Sequence, residues 1–216
     1  MTTSQPRLRS TIDLRGLPDV VFGPRDIMWW GTLGFVIIEG FTLVLCAAAY
    51  VYVTQNFSTW PPENTPLPSV VAPTVQIVVM LASLIAARWT ARAARRFDLG
   101  ATRIGLTIAT AFGIAIVGLR AWELLVSLNV KWDANVYGSV QWLVLGAHGT
   151  LLAVELVEIA GMMLIFWLGP VEEKHMSDVA QPSKWITNFL MTAFAASYVG
   201  FKPPLNAAVR SGARVE

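Results

Sequence analysis

Six ionisable side chains stand inside otherwise apolar stretches of this 216-residue chain: Glu39, Arg120, Glu123, His148, Glu155 and Glu158. A charged group at the centre of a membrane span costs a few kcal/mol and ordinarily faces protein or trapped water. Arg120 and Glu123 are three residues apart, so on a helix they share a face and make a structural ion pair. His148, Glu155 and Glu158 follow one another at steps of seven and three, which puts them on one helical stripe. Such a ladder suits a relay of protons or a set of metal ligands. Its plainer reading has His148 bonded to a neighbouring helix and the two glutamates near an interface, within reach of Lys174. Glu39 differs, because its own helix offers no partner. It is either a neutral acid bonded to another helix or a carboxylate beside trapped water or a lipid cavity, and the neutral form is the cheaper one in an apolar setting.

Nothing else in the chain forms a self-contained catalytic site. Of two histidines, His148 falls in an apolar helix and His175 in a polar loop, which excludes a haem held by two helical histidines. The histidine clusters of membrane desaturases, a Gly-rich phosphate loop and Cys-x-x-Cys are all missing. Glu155-x-x-Glu158 does not match the Glu-x-x-His pairs of di-metal carboxylate centres. No metal site is therefore expected. Binding of a quinone or pigment needs few specific residues and stays open.

The elements that position these groups are long apolar runs. Residues 27–53 exceed the roughly 20 residues that span a bilayer, and they show no polar face at helical spacing. Further spans are expected at 70–89, 104–128, 136–168 and, more weakly, 185–201. The first connection is rich in proline and holds no Lys or Arg, and prolines 61, 62, 66 and 68 forbid a continuous helix there. Residues 88–103 read as a basic segment after the second span, and GPVEEKHMSDVAQPS as a polar loop after the fourth. Residues 1–25 lack an apolar core and read as a cytoplasmic tail rather than a cleaved signal. Residues 26–202 form one membrane domain, and 203–216 a polar tail.

The composition agrees: 55% of residues are hydrophobic and 14% charged, against about a quarter charged in soluble domains. A formal charge of +2 argues against a nucleic-acid partner, and the single cysteine, Cys46, excludes a disulfide framework. Eleven Lys and Arg flank the spans on the side of the amino terminus and four on the other, with Arg120 inside a span. The excess marks the cytoplasmic side, so the amino terminus is cytoplasmic and an odd number of spans, five, is expected. The fold class is an all-α polytopic transmembrane bundle. Most tryptophans (29, 30, 60, 89, 132, 142, 167 and 185) fall near span ends, where indole rings anchor at the interface. Gly31, Gly34, Gly40, Gly105, Gly113 and Gly118 offer close approach between helices.

The pattern resembles the cytochrome c oxidase subunit III family. WWGTLGFVIIEGFTLVLCAAAYVYV resembles that family's third helix, with Glu39 on its buried glutamate. PLPSVVAPTVQIVVMLASLIAARWTARAARR looks like the fourth helix and basic loop. AFGIAIVGLRAWELL resembles the fifth, with Glu123 on an acidic position, and YGSVQWLVLGAHG the opening of the sixth, with His148 on the first histidine of His-Gly-x-His. The second histidine of that motif is Leu151 here, Arg120 stands for a common Gln, and Trp185-Ile186-Thr187-Asn188-Phe189 replaces Trp-His-Phe-Val-Asp. Glu155 and Glu158 have no placed counterpart. The family's first two helices are missing, as in its short bacterial forms.

That resemblance implies an accessory, metal-free subunit of a haem–copper terminal oxidase in a bacterial inner membrane, docked on subunit I in a complex that includes subunit II. Haem and copper belong to those partners, and a lipid-filled cleft holds structural phospholipid. Glu39 is then the buried functional carboxyl beside the cleft. Glu123, Arg120 and His148 are polar contacts between helices, and Glu155 and Glu158 a possible relay. Arg88, Arg92, Arg95 and Arg96 are candidates for anionic lipid headgroups. Three alternatives remain: a nitric oxide reductase-associated member of the same family, an independent small proton-coupled transporter, and an assembly protein.

Overall fold

The computed structural model describes residues 25–62, 65, 69, 71–180 and 191. Among these residues, four helices are long and apolar enough to cross a membrane. They are α1 (Ile27–Gln55), α2 (Val71–Arg95), α3 (Leu99–Trp122), which continues into a π-helical turn at Glu123–Ser127, and α4 (Val136–Leu168). A short helix, α5 (Glu173–Ala180), follows. Apart from Met191, the span expected at 185–201 lies outside the described residues, as do residues 1–24 and the tail from 203.

Side chains capping the first turn mark where three spans begin. The Asp26 carboxylate accepts from Met28 N, that of Asp98 from Ala101 N, and the Asn135 carbonyl oxygen from Gly138 N. Each satisfies one of the orphan donors of a helix start. Within the spans, the hydroxyls of Thr32, Thr42, Thr90, Thr110 and Thr150 donate to the carbonyl one turn back. A hydroxyl in a bilayer has no water to turn to, and this local bond satisfies its donor.

Two expectations from sequence are corrected. α2 does not stop at Trp89 but runs on to Arg95, leaving only Arg96–Asp98 as the turn into α3. Alanines 86, 87, 91, 93 and 94 favour helix there, so Arg88, Arg92, Arg95 and Arg103 of the expected basic segment stand on helices and Arg96 in the turn. Phe97, in a left-handed conformation (φ 55°), closes α2, with Asp98 N bonded to Ala93 O. The second correction is α5, read from sequence as loop. Its Met176, Val179 and Ala180 are buried against Ala94, Leu106 and Phe166 at the ends of α2, α3 and α4.

In space the order is α1–α4–α3–α2, with α5 laid on α2. α1 and α4 run antiparallel: Leu43 packs near Leu152, and Cys46, further along α1, near Val144 and Leu145. Met191 joins Leu43, Met80, Ile116 and Leu152 in the central cluster. Glycines open two contacts. A Cβ on Gly105 would collide with Thr90, and one on Gly113 would lie 2.9 Å from the Leu156 side chain. Gly31, Gly34, Gly40 and Gly118 have no such neighbour among the described residues. Trp60 is likewise no interface anchor. It is buried under the first loop against Tyr50 and Tyr137, and its Nε1 donates to Tyr50 Oη at 3.1 Å.

Candidate functional site

Arg120 occupies the last turn of α3, and the wide π-helical turn starts at Glu123. A π turn inserts one residue into the helical ladder and often sits at functional positions. Here Leu128 N bonds back five residues to Glu123 O at 2.9 Å. Arg120 Nη1 and Glu123 Oε2 are 2.5 Å apart, in a pair only 3% and 5% exposed. The other guanidinium nitrogen, Nη2, lies 2.7 Å from His148 Nδ1 on α4. Guanidinium only donates, so Nδ1 must accept, and His148 is the neutral tautomer with its proton on Nε2. The ring is wholly buried, and the backbone of Met191 lies against it. Gly149 makes room for this bridge, since a Cβ there would stand 3.0 Å from Arg120 Cγ.

This cluster ties α3 to α4 through a charged pair and a neutral ring. Arranged in this way it is a rigid polar clamp. Among the described residues no group of three or more His, Cys, Asp or Glu comes together that could hold a metal ion.

Glu39 lies elsewhere. It is 2% exposed, and neither carboxyl oxygen has a hydrogen-bond partner among the described residues. It precedes Leu43 by one turn, and since Leu43 packs at the level of Leu152, antiparallel packing brings Glu39 level with residues 155–158 of α4. Glu158 is indeed close enough for its charge to be felt at Glu39.

The expected stripe of His148, Glu155 and Glu158 does not stay on one face. The steps of seven and three each fall short of full turns, so the stripe rotates outward along α4. His148 is buried, Glu155 half-buried and Glu158 exposed. Glu155 lines a cavity of about 80 Å³ between α2, α3 and α4, together with Ser83, Thr90, Phe112, Gly113 and Met162, and Val179 of α5 reaches its wall. The hydroxyls of Ser83 and Thr90 donate to Met80 O and Ala86 O.

The arginines proposed for lipid headgroups divide. Arg88, Arg92 and Arg95 are exposed and spaced i, i+4, i+7 on one face at the end of α2, and Arg96 is exposed in the turn that follows. Arg95 also donates to Ala180 O, at 3.4 Å from Nε and 3.3 Å from Nη2, and so holds the end of α5. Arg103 on α3 donates to Phe166 O at 2.7 Å and stacks on Trp167, whose Nε1 donates to Thr107.

Sequence reading passed over Gln76 and Gln141. Both are buried in spans, and Gln141 bonds Tyr137 one turn back. Gln76 is completely buried, and neither amide atom has a hydrogen-bond partner among the described residues. The available signal was an uncharged amide within an apolar run, as costly to strand there as a carboxylic acid.

No family model matches the chain. Among curated proteins it is 26% identical over 138 residues to cytochrome c oxidase subunit 3 of Thermostichus vulcanus, which covers 64% of this chain and 68% of the relative. It is 24% identical over 127 residues to cytochrome c oxidase subunit 3 of Synechocystis sp. (strain ATCC 27184 / PCC 6803 / Kazusa), covering 59% of this chain and 54% of that one. The matches thus span about two thirds of the first relative and about half of the second. With four apolar helices of spanning length, the chain is a membrane protein similar to subunit 3 of an oxidoreductase complex.

Proposed function

We propose that this chain is an accessory, subunit III-like component of a haem–copper terminal oxidase, with no redox centre of its own. The observation that carries the reading is its similarity to two proteins named cytochrome c oxidase subunit 3. Two features of the fold support it. Among the described residues, the buried polar side chains Arg120, Glu123 and His148 hold helices together. The bundle also leaves broad apolar faces for lipid and for a larger membrane partner. In this reading the chain docks on subunit I, with subunit II in the same complex, in a bacterial inner membrane. Haem and copper sit in those partners, which reduce dioxygen to water while translocating protons. Glu39 is the functional carboxyl, and the exposed arginines at the end of α2 meet anionic headgroups of structural phospholipid.

The test is to tag the chain, extract native membranes in mild detergent and record a reduced-minus-oxidised spectrum of what co-purifies. Haem bands with oxygen consumption support the reading, and their positions report the partner's haem class. Nitric oxide reduction by the same preparation would move the chain to a nitric oxide reductase. A colourless preparation overturns it.

A second reading, an independent proton-coupled transporter, is favoured by one observation: Glu155 lines a cavity between α2, α3 and α4. Liposomes holding this chain alone would then move protons, and Glu155→Gln with Glu158→Gln would abolish the movement. Under the subunit reading those liposomes stay tight.

A further inference from the structure

The cavity between α2, α3 and α4 is long and narrow. Its wall runs from Met80 to Thr90 on α2, from Leu106 to Ile116 on α3 and from Leu152 to Met162 on α4. At the helical rise per residue that is a length of about 15 Å. One end lies at Thr90, Leu106 and Met162, where Val179 of α5 joins the wall. The central apolar cluster of Leu43, Met80, Ile116, Leu152 and Met191 closes the other.

Three polar groups line it: Ser83, Thr90 and Glu155. Their depths follow from the packing. Gly105 of α3 meets Thr90, and Ile116 packs with Met80, so Gly113 falls level with Ser83. Gly113 also meets Leu156 of α4, which sets Ser83 and Glu155 at one depth, with Thr90 two turns nearer α5. The Ser83 and Thr90 hydroxyls spend their protons on Met80 O and Ala86 O, so toward any further group they act as acceptors. A carboxylate has about four acceptor sites, and a partner elsewhere leaves Glu155 able to accept as well. A wall of acceptors calls for a donor-rich occupant. A hydrocarbon tail offers none, whereas water offers two. The volume of about 80 Å³ holds about five water molecules, and over about 15 Å they stand in single file.

We propose that this cavity is a water site, a single file of water molecules running from Val179 under α5 to Ser83 and the Glu155 carboxyl. Each water bonds to its neighbours in the file, and Thr90, Ser83 and Glu155 supply fixed acceptors along it. The file is blind at the central cluster. It therefore gives an acid inside the bundle water and protons from the α5 end without opening a path across the membrane. The site goes beyond the oxidase assignment and is the same whichever complex the chain joins.

The test is pulsed X-ray radiolysis of the tagged preparation from native membranes, in which water split in place oxidises the side chains beside it. Methionine sulfur is a sensitive target. Met80, 2% exposed, is on the cavity wall, and Met191, 1% exposed, packs in the same central cluster but off that wall. Met80 is expected to become sulfoxide about tenfold faster than Met191. Ser83→Leu, which removes an acceptor and fills the file, brings Met80 down to the Met191 rate. Ala109→Leu narrows the file from α3 and lowers the Met80 rate less, which covers a folding failure of the first variant. A Met80 as inert as Met191 overturns the proposal, since the cavity is then dry or filled by an apolar molecule. Equally fast oxidation of both, or a Met80 rate unchanged in both variants, overturns it too, because the water is then not confined to the file.

Discussion

Arg120 is the most constrained side chain in the bundle, since its charge is buried and met by Glu123 and His148 on different elements. Removing one member of the charged pair leaves the other charged and dry. Glu123→Gln should therefore destabilise the chain by about 3 kcal/mol, read as a lower unfolding midpoint in a denaturing-detergent titration. Replacing both members, Arg120→Met with Glu123→Leu, should recover most of that loss, because two charges no longer need to be desolvated. An unchanged midpoint in Glu123→Gln would mean that water reaches the pair. For Glu39 the outcome depends on role. If it serves the partner's turnover, Glu39→Gln leaves the haem partner co-purifying and lowers its oxygen consumption. If the chain only assists assembly, the amount of complex falls and the turnover of what assembles is unchanged.

At the scale of elements, the contact between α2 and α3 depends on Gly105 meeting Thr90. Gly105→Val should separate the two helices and cost about 1–3 kcal/mol, the range for overpacking a close contact. Asp98→Ala, which removes the cap of α3, should cost about 1 kcal/mol. The same titration ranks the two, and a milder effect from the valine would show that α3 can slide. α5 was read as loop because its sequence, EKHMSDVA, is polar on average. Its buried set, Met176, Val179 and Ala180, follows an i, i+3, i+4 pattern behind Glu173, but eight residues give that pattern little statistical weight. What makes it a helix is the apolar floor formed by Ala94, Leu106 and Phe166 and the Arg95 bond to Ala180 O. Of these only Phe166 is near it in sequence; the others lie more than sixty residues away.

For the whole molecule, eleven basic residues flank one side of the expected spans and four the other. That asymmetry orients a polytopic chain. In a variant with Cys46→Ser, a cysteine at Ser58, in the loop after α1, should react with an impermeant maleimide added outside intact spheroplasts. A cysteine at Arg96, in the turn between α2 and α3, should react only after the membrane is opened. The reverse pattern would invert the bundle and place the arginine face of α2 away from the anionic cytoplasmic leaflet.

Apolar runs longer than a bilayer is thick leave the backbone one cheap conformation, so the all-helical class and the cores of α1 and α4 were legible from sequence alone. So were Asp26, Asp98 and Asn135 as helix starts, since capping is local chemistry, although the sequence reading did not use them. The spacing of Arg120 and Glu123 showed that they could meet. What only the tertiary structure decided involves partners distant in the chain. It brought His148 to Arg120, buried Glu39, turned Glu155 into a cavity wall and left Glu158 outside. Composition says which groups must avoid lipid, whereas the order α1–α4–α3–α2, a product of packing between surfaces, determines which of them can reach one another.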